Sequence, residues 1–497
     1  MLSYISRGIY PTQATYLLGF KSQNCACMIS TRGNSSTSND LKEALCEKIP
    51  VHYDLVRKFR HQYGPAIVGQ VTVDDLYRGL RGVNTIVRET SELDKKFGIK
   101  YRGLTIPQVI SLLPKNRGTS PSPEAVFWLL LTGDVPTQEQ TKSLIADWTS
   151  RRQRLKEWWS DNEGGTIGMI IRSLPKNVTP LGKLCIALTA LNADKYAQEA
   201  TKTGAMSHTQ WEYIFEDCME LLATLPAIIG LVSSAKSPKS VPQDGDWVDF
   251  LLDCLGNISH AEESRKSSLA DFLRLYIALN ADEDGGLPAT HVTQILADSQ
   301  VDVSQALAGG FLAYKNEPKA GSLLKCMDFQ LRLQNILGQE PANEILKNFL
   351  RSLAEKSTKI PGYGESEFCD PRFLALREFL KEHVSYDSEI KLSQEISKVL
   401  SIMLRKTKGK SIWPKQNAIA APAFRAYGLR DMEFNQVFLC MSRALGAVAS
   451  IIWSRAMCTP EENPKSNSTY TYCESLQEIR KKPTKLSTVK YTKYLPK

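Results

Sequence analysis

The chain has 497 residues and a mass of 55.6 kDa, is 42% hydrophobic and 23% charged, and carries a net charge of +9. This composition excludes collagen, a coiled-coil rod and a wholly disordered chain, and the length allows a sizeable core without disulfide or metal staples. The charge sits at the ends: residues 1–39 contribute +3, residues 479–497 contribute +7, and the body between carries −1. A nearly neutral body argues against a nucleic-acid-binding core, which needs a basic face to neutralise phosphates.

Residues 1–39 hold Arg7, Lys21, Arg32 and seven serines, and Asp40 is the first carboxylate. A basic, Ser-rich, acid-free start is the composition of a mitochondrial transit peptide, so a matrix location is expected. Leu41–Ile49 is a short amphipathic stretch. Ala66–Asp74, apolar and β-branched, predicts a small strand. Gly98–Ile106 predicts another, ending at Pro107. Pro123–Thr132 predicts a buried helix, because proline is tolerated in a first helical turn. Gly133–Pro136 then turns, and Thr137-x-x-Gln140 matches a capping box.

Trp211–Leu225, Leu269–Leu279 and Met441–Trp453 have helical apolar spacing; in the last, Leu445, Val448, Ile451 and Ile452 share a face. No apolar run reaches the ~18 residues of a membrane span. The longest, Leu221–Val232, is broken by Thr224 and Pro226. The chain is therefore expected not to span a membrane. Long helices with a few short strands predict an all-α fold. From about Asn467 the chain is polar and then basic, and Lys481–Lys482–Pro483 interrupts any helix. It is expected to be a disordered tail, with a basic arm for an acidic partner or membrane surface as the functional alternative.

Generic motifs carry little chemistry. There is no Gly-rich phosphate loop, no G-x-S-x-G and no H-E-x-x-H. Six histidines (His52, His61, His208, His260, His291 and His383) are scattered, none near another at metal-ligand spacing. Eleven cysteines form no CxxC. They are expected as reduced thiols, several in the core.

Collinear blocks between about residues 38 and 466 resemble the citrate synthase family, in its long eukaryotic mitochondrial form. They are Val68–Gly–Gln–Val–Thr–Val73, Gly98–Ile–Lys–Tyr–Arg–Gly–Leu–Thr–Ile–Pro107, Phe127–Trp–Leu–Leu–Leu–Thr–Gly133, Pro361–Gly–Tyr–Gly364 with Asp370–Pro–Arg372, and Met441–Ser–Arg–Ala–Leu–Gly446 with Ile452–Trp–Ser–Arg–Ala456. The resemblance implies a homodimer of bilobed helical subunits with the site in a cleft. It divides the chain into residues 40–318 (large domain, first part), 319–422 (small domain), 423–466 (large domain, return) and the tail 467–497.

The family reaction, implied by the resemblance, is an acyl transfer of the tricarboxylic acid cycle that converts acetyl-CoA, oxaloacetate and water into citrate and CoA. A carboxylate base removes the methyl proton, one histidine donates to the thioester carbonyl, and a second protonates the ketone. A further histidine and arginines clamp the dicarboxylate. No cofactor is implied; acetyl-CoA is a co-substrate.

At the positions that match these motifs the chain departs from the family. The two histidines of catalysis fall at Asn316 and Glu365, and the aspartate base at Asn417. The substrate-binding histidine is Glu283 and a closing arginine is Asn463, whereas Arg372 and Arg443 are retained. A two-residue deletion between Gly364 and Asp370 removes the stretch where the family carries a basic residue near the CoA phosphates. An amide has no useful basicity, and each lost acid–base group costs ~10²–10⁴-fold. The expectation is a catalytically impaired pseudoenzyme, structural or paired in a heterodimer with an active paralogue. Alternatives are an active synthase with a rearranged set, Glu365 or Asp284 serving as base, and a dicarboxylate or CoA sensor. Glu283 and Glu365 are expected to pair internally with Arg372 and Arg443.

Overall fold

A single helix organises the core. Asn435–Ala456 is apolar on every side, and nearly all of its side chains are buried. A helix of that kind is stable only when surrounded by other elements, and helices Pro123–Thr132, Gln210–Ser234, Glu263–Asn280 and Pro288–Asp298 enclose it. By length and composition it is also apolar enough to cross a membrane, the one such helix among the described residues, but here it is wrapped by protein. The sequence reading placed only one apolar face on it; the structure buries the whole circumference.

In this computed structural model the described residues are 36–156, 165–191, 195–234, 245–256, 263–316, 323–356, 359–408 and 411–481. The expected transit peptide lies outside them except for its last four residues. The chain divides into two compact units between Thr459 and Pro460. The first is almost entirely helical, with two small antiparallel sheets. The described cysteines are all unpaired.

Local chemistry explains most element boundaries. Helix Pro123–Thr132 starts on the Ser122 cap with proline in its first turn and ends on Gly133 at φ 82°. Thr137 and Gln140 form the expected capping box of helix Gln138–Arg154, each accepting from the other's backbone N–H. The first helix is longer than read, Leu41–Tyr63, and passes through Pro50.

Two other prolines lie inside helices, and both leave a carbonyl that another element satisfies. Pro226 lacks the N–H that would bond Leu222, and the Trp247 indole donates to the Leu222 carbonyl at 2.7 Å. Helix Gln210–Ser234 therefore runs through the site where the apolar stretch was read as broken. Pro422 similarly releases the Ala418 carbonyl, which accepts from Ser393 Oγ at 2.9 Å. That bond ties helix Ser388–Lys408 to helix Asn417–Ala426.

Three expectations are corrected. Ala66–Asp74 is not a strand, since no neighbouring strand pairs with it. Thr72 and Asp75 instead form a capping box that starts the short helix Val73–Tyr77. Gly98–Ile106 is not one strand but two, β2 (Gly98–Tyr101) and β3 (Leu104–Thr105), which with β1 (Ser91–Asp94) make an antiparallel sheet. Arg102 (φ 48°) and Gly103 (φ 81°) turn the chain between them, the two positive φ values of a tight hairpin. Pro107 opens helix Ile106–Leu112 rather than ending a strand. Third, the expected disordered tail contains helix Thr469–Lys481, begun by the Ser468 hydroxyl, which accepts from Thr471 N–H at 3.1 Å. This helix belongs to the second unit, and residues 482–497 lie outside the description.

A second apolar core, separate from the main one, is built from residues between Leu333 and Leu404, including Leu346, Leu350, Ile396 and Leu400. It lies within the segment expected as the small domain. β4 (Tyr363–Glu365) and β5 (Ile412–Pro414) pair antiparallel beside it, with Gly364 opposite Trp413.

Candidate functional site

The last turn of helix Glu263–Asn280 runs into Ala281–Asp282–Glu283, and this segment lies against helix Asn435–Ala456. Gly446 makes the approach possible: its N–H donates to the Ala281 carbonyl at 2.9 Å, and a Cβ there would stand 2.4 Å from Asp282 Cγ. Asp282 is buried, and Arg88 meets it with Nη2 2.6 Å from Oδ1. Burial raises the Asp282 pKa, but the Arg88 charge and hydrogen bond more than offset this and hold it below the ordinary carboxylate value. Ser91 Oγ donates to the Glu283 carbonyl at 3.1 Å, adding a second tie from the β1 end.

This frame presents Glu283 to Arg443, with Arg443 Nη2 2.5 Å from Glu283 Oε2. Arg443 also donates from Nη1 to the Asp282 carbonyl. Burial lowers the Arg443 pKa, yet Glu283 and the Tyr314 and Tyr101 hydroxyls bring it above its ordinary value. Tyr101 is fully buried, and that burial pushes its hydroxyl up to about 12, against the pull of Arg443 and Arg372.

Arg372 comes from helix Pro371–His383, capped by Asp370. The cap accepts from the Arg372 N–H at 3.0 Å and grips the guanidinium in a fork, with Nε–Oδ1 and Nη2–Oδ2 both 3.1 Å. Burial opposes the Arg372 charge; Asp370, then Glu283 and Tyr101, outweigh it and raise its pKa. The expectation that both arginines pair with the two glutamates is thus half met. Arg443 takes Glu283, but Arg372 takes Asp370, its own helix cap and the nearer carboxylate. Glu365 ends β4 on an exposed position opposite Ile412.

Of the sequence-derived positions, the structure brings Glu283, Arg372 and Arg443 into one charged cluster around Tyr101. Asn316 closes the 3₁₀ turn Ala313–Asn316, two residues beyond the buried Tyr314 whose field reaches Arg443; its side chain lies outside the described residues. Asn417, half-buried, is the first residue of helix Asn417–Ala426. Asn463 belongs to the second unit, on exposed irregular chain.

Sequence reasoning missed Arg88, Asp282 and Asp370 as the carboxylate–guanidinium frame, although Asp370 stood inside a quoted motif and Asp282 directly precedes Glu283. It also passed over Lys415. This residue follows β5, donates its N–H to the Gly362 carbonyl at 2.7 Å, and lies near Asp370 and Arg372. Among the described residues no group of three or more His, Cys, Asp and Glu side chains is arranged to hold a metal ion. The cluster has the means to bind an anion and to orient it, and its carboxylates Asp282, Glu283 and Asp370 are held in ion pairs.

The family profile for the citrate synthase C-terminal domain matches residues 79–461. Among solved structures, citrate synthase from Pyrobaculum aerophilum aligns at 18% identity with a TM-score of 0.65, covering 81% of this chain and 95% of that one. A ternary complex of the Thermoplasma acidophilum citrate synthase with carboxymethyl coenzyme A and oxaloacetate aligns at 16% identity and TM-score 0.59, covering 80% and 96%. Citrate synthase from Thermotoga maritima aligns at 18% identity and TM-score 0.58, covering 79% and 95%. These likenesses agree with the helical architecture, and the profile match spans well over half of the sequence: the chain belongs to the citrate synthase family.

Proposed function

We propose that this chain is a catalytically impaired citrate-synthase-like protein of the mitochondrial matrix, whose cleft still receives a small dicarboxylate. The observation that carries the reading is the Glu283–Arg443 pair, with Nη2 2.5 Å from Oε2. A carboxylate occupies the guanidinium that family members offer to substrate, at a position where the resemblance implies an imidazole. Asn417 supports the same reading. The family reaction needs a base for the methyl proton, and an amide at the start of helix Asn417–Ala426 supplies none. The proposed ligands are oxaloacetate and acetyl-CoA, the kinds of molecule held by the Thermoplasma complex as oxaloacetate and a carboxymethyl analogue of CoA. The divergent eukaryotic mitochondrial type is proposed from the quoted blocks and the acid-free start of the sequence.

The proposed assembly is a homodimer, with a heterodimer alongside an active paralogue as the other arrangement. Exposed large apolar side chains concentrate in residues 51–97, among them Val68 at 76% and Val87 at 88% exposure, with Tyr53, Phe59, Val71 and Tyr77. An exposed apolar concentration of this size is characteristic of a surface that another chain covers.

The test is thiol release from acetyl-CoA plus oxaloacetate, with the mass in solution measured by light scattering on the same sample. Folded, dimeric protein is expected to release no thiol above background. The combined variant Glu283→His, Asn316→His, Glu365→His and Asn417→Asp is expected to raise the rate. Oxaloacetate-dependent turnover by the unmodified protein would overturn the reading and require a substitute base.

A further inference from the structure

Cations and carboxylates in the cluster match one for one, except at a single residue. Arg88 holds Asp282, Arg443 holds Glu283 and Arg372 holds Asp370. Lys415 is the fourth cation. Among the described residues no carboxylate lies within ion-pair distance of its ammonium, and no hydrogen-bond acceptor meets it. Such a lysine would ordinarily be dismissed as a solvated surface residue. Its setting argues otherwise.

The residue is half-buried, and its backbone is fixed at both sides. Its N–H donates to the Gly362 carbonyl at 2.7 Å, and its carbonyl accepts from Ala418 N–H at 3.0 Å. The stem lies against β4, with Cε 3.2 Å from where a Cβ on Gly364 would stand. Any larger residue at 364 would have to displace it. Packing therefore holds the ammonium near Asp370 and Arg372, two residues before Asn417. Burial lowers its pKa below the ordinary lysine value. Asp370 acts in the opposite direction, but its carboxylate is engaged by Arg372, whose own charge adds to the lowering, and Cys369 is the remaining titratable neighbour. An ammonium already partly stripped of water gives up less hydration when an anion arrives, and gains a partner that it otherwise lacks.

We propose that Lys415 anchors the ligand of this cleft by pairing its ammonium with one carboxylate of a small dicarboxylic acid. The proposal rests on the reading of the cleft as a dicarboxylate site, and it assigns to one residue a role that the family motif does not give it. Glu283 has taken Arg443 out of service in this chain, and Lys415 stands beside Arg372 with its own charge still available to a ligand.

The experiment is calorimetric titration of the purified chain with oxaloacetate, malonate and inorganic phosphate at fixed ionic strength. The unmodified protein, Lys415→Gln and Lys415→Arg are compared, each checked for folding by circular dichroism. The unmodified protein is expected to bind both dicarboxylates. Lys415→Gln is expected to weaken them about 10- to 100-fold, the range for a hydrogen bond to a charged group, and Lys415→Arg to stay within about threefold.

A second measurement needs no variant. Lysine acetylation mapped by mass spectrometry should show Lys415 protected by malonate, while the exposed Lys398 is labelled equally with and without it. Unchanged affinity in Lys415→Gln, or labelling of Lys415 indifferent to malonate, would overturn the assignment while leaving the cleft reading intact. Phosphate binding as tight as malonate would overturn the dicarboxylate class. No dicarboxylate binding by the unmodified protein would overturn both the assignment and the cleft reading.

Discussion

Arg88→Ala is expected to destabilise the protein by about 3–5 kcal/mol, the cost of leaving a buried charge without its partner. Asp282 is 2% exposed and Arg88 9% exposed at the side chain, and their closest contact is 2.6 Å. With Arg88 truncated, the carboxylate keeps the Thr90 hydroxyl and the Glu283 backbone N–H but no counter-charge. It cannot retreat, because Gly446 lies against one side of it.

Asp282→Asn in the Arg88→Ala background should recover part of the loss, since an amide needs no counter-charge. The double-mutant cycle therefore measures the coupling directly. The acid limb provides a second readout. Asp282 titrates below its unfolded value of 3.8, so the pair contributes stability above that pH and loses it as pH falls through the depressed value. Arg88→Ala should flatten that limb. Denaturant unfolding at neutral pH and near pH 3 checks both, and a cost below about 1 kcal/mol would mean that Asp282 finds solvent or another donor. The same variant loosens the segment that carries Glu283, so dicarboxylate affinity should change with it.

The features legible in the sequence were those encoded within a few residues. Ser122–Pro123 and Thr137-x-x-Gln140 set helix starts by local hydrogen bonds, and both stand where expected. Ala66–Asp74 failed because a β-branched run becomes a strand only beside a partner, and no such partner is written in the segment itself. The helix through Pro226 failed for a related reason. The indole that satisfies the freed Leu222 carbonyl belongs to Trp247, 25 residues away.

The site divides along the same line. Glu283, Arg372 and Arg443 were found through the family's motifs, and they do come together. Arg88, which fixes Asp282 from 194 positions away, belongs to no motif that names its role. Lys415 was passed over because without the fold nothing showed that its stem lies on Gly364 or that Asp370 and Arg372 beside it are already paired.

Glu124→Gln is expected to stabilise the protein at alkaline pH and to remove much of its pH dependence. Glu124 is fully buried on helix Pro123–Thr132. Its Oε1 accepts from the Trp247 N–H at 2.8 Å, while Oε2 has no partner. Burial first, and then the nearby Asp246 carboxylate, push its pKa up to about 8 from 4.5, against the attraction of Arg152. Arg152 does not rescue it. That guanidinium is itself buried, its Nε is spent on the Ala223 carbonyl at 3.0 Å, and both Nη atoms lack acceptors. Burial lowers the Arg152 pKa to about 10, so it keeps its charge at neutrality.

The sign follows from linkage. A carboxyl whose folded pKa lies above its unfolded one stabilises fully below pH 4.5, and the contribution is lost as pH rises to about 8. At ~1.4 kcal/mol per unit, the unmodified protein should lose about 3 kcal/mol through this group between pH 6 and 9. Glutamine copies the neutral acid in shape and keeps the acceptor for Trp247, so the variant should lose less over the same range by about that amount. Titrating groups away from Glu124 are common to both proteins and cancel in the comparison, which leaves Glu124 with its linked neighbours Asp246 and Arg152. Denaturant unfolding of the two at pH 6 and pH 9 is the measurement. Parallel losses would mean that Glu124 is ionised in the folded state and that Arg152 compensates it after all.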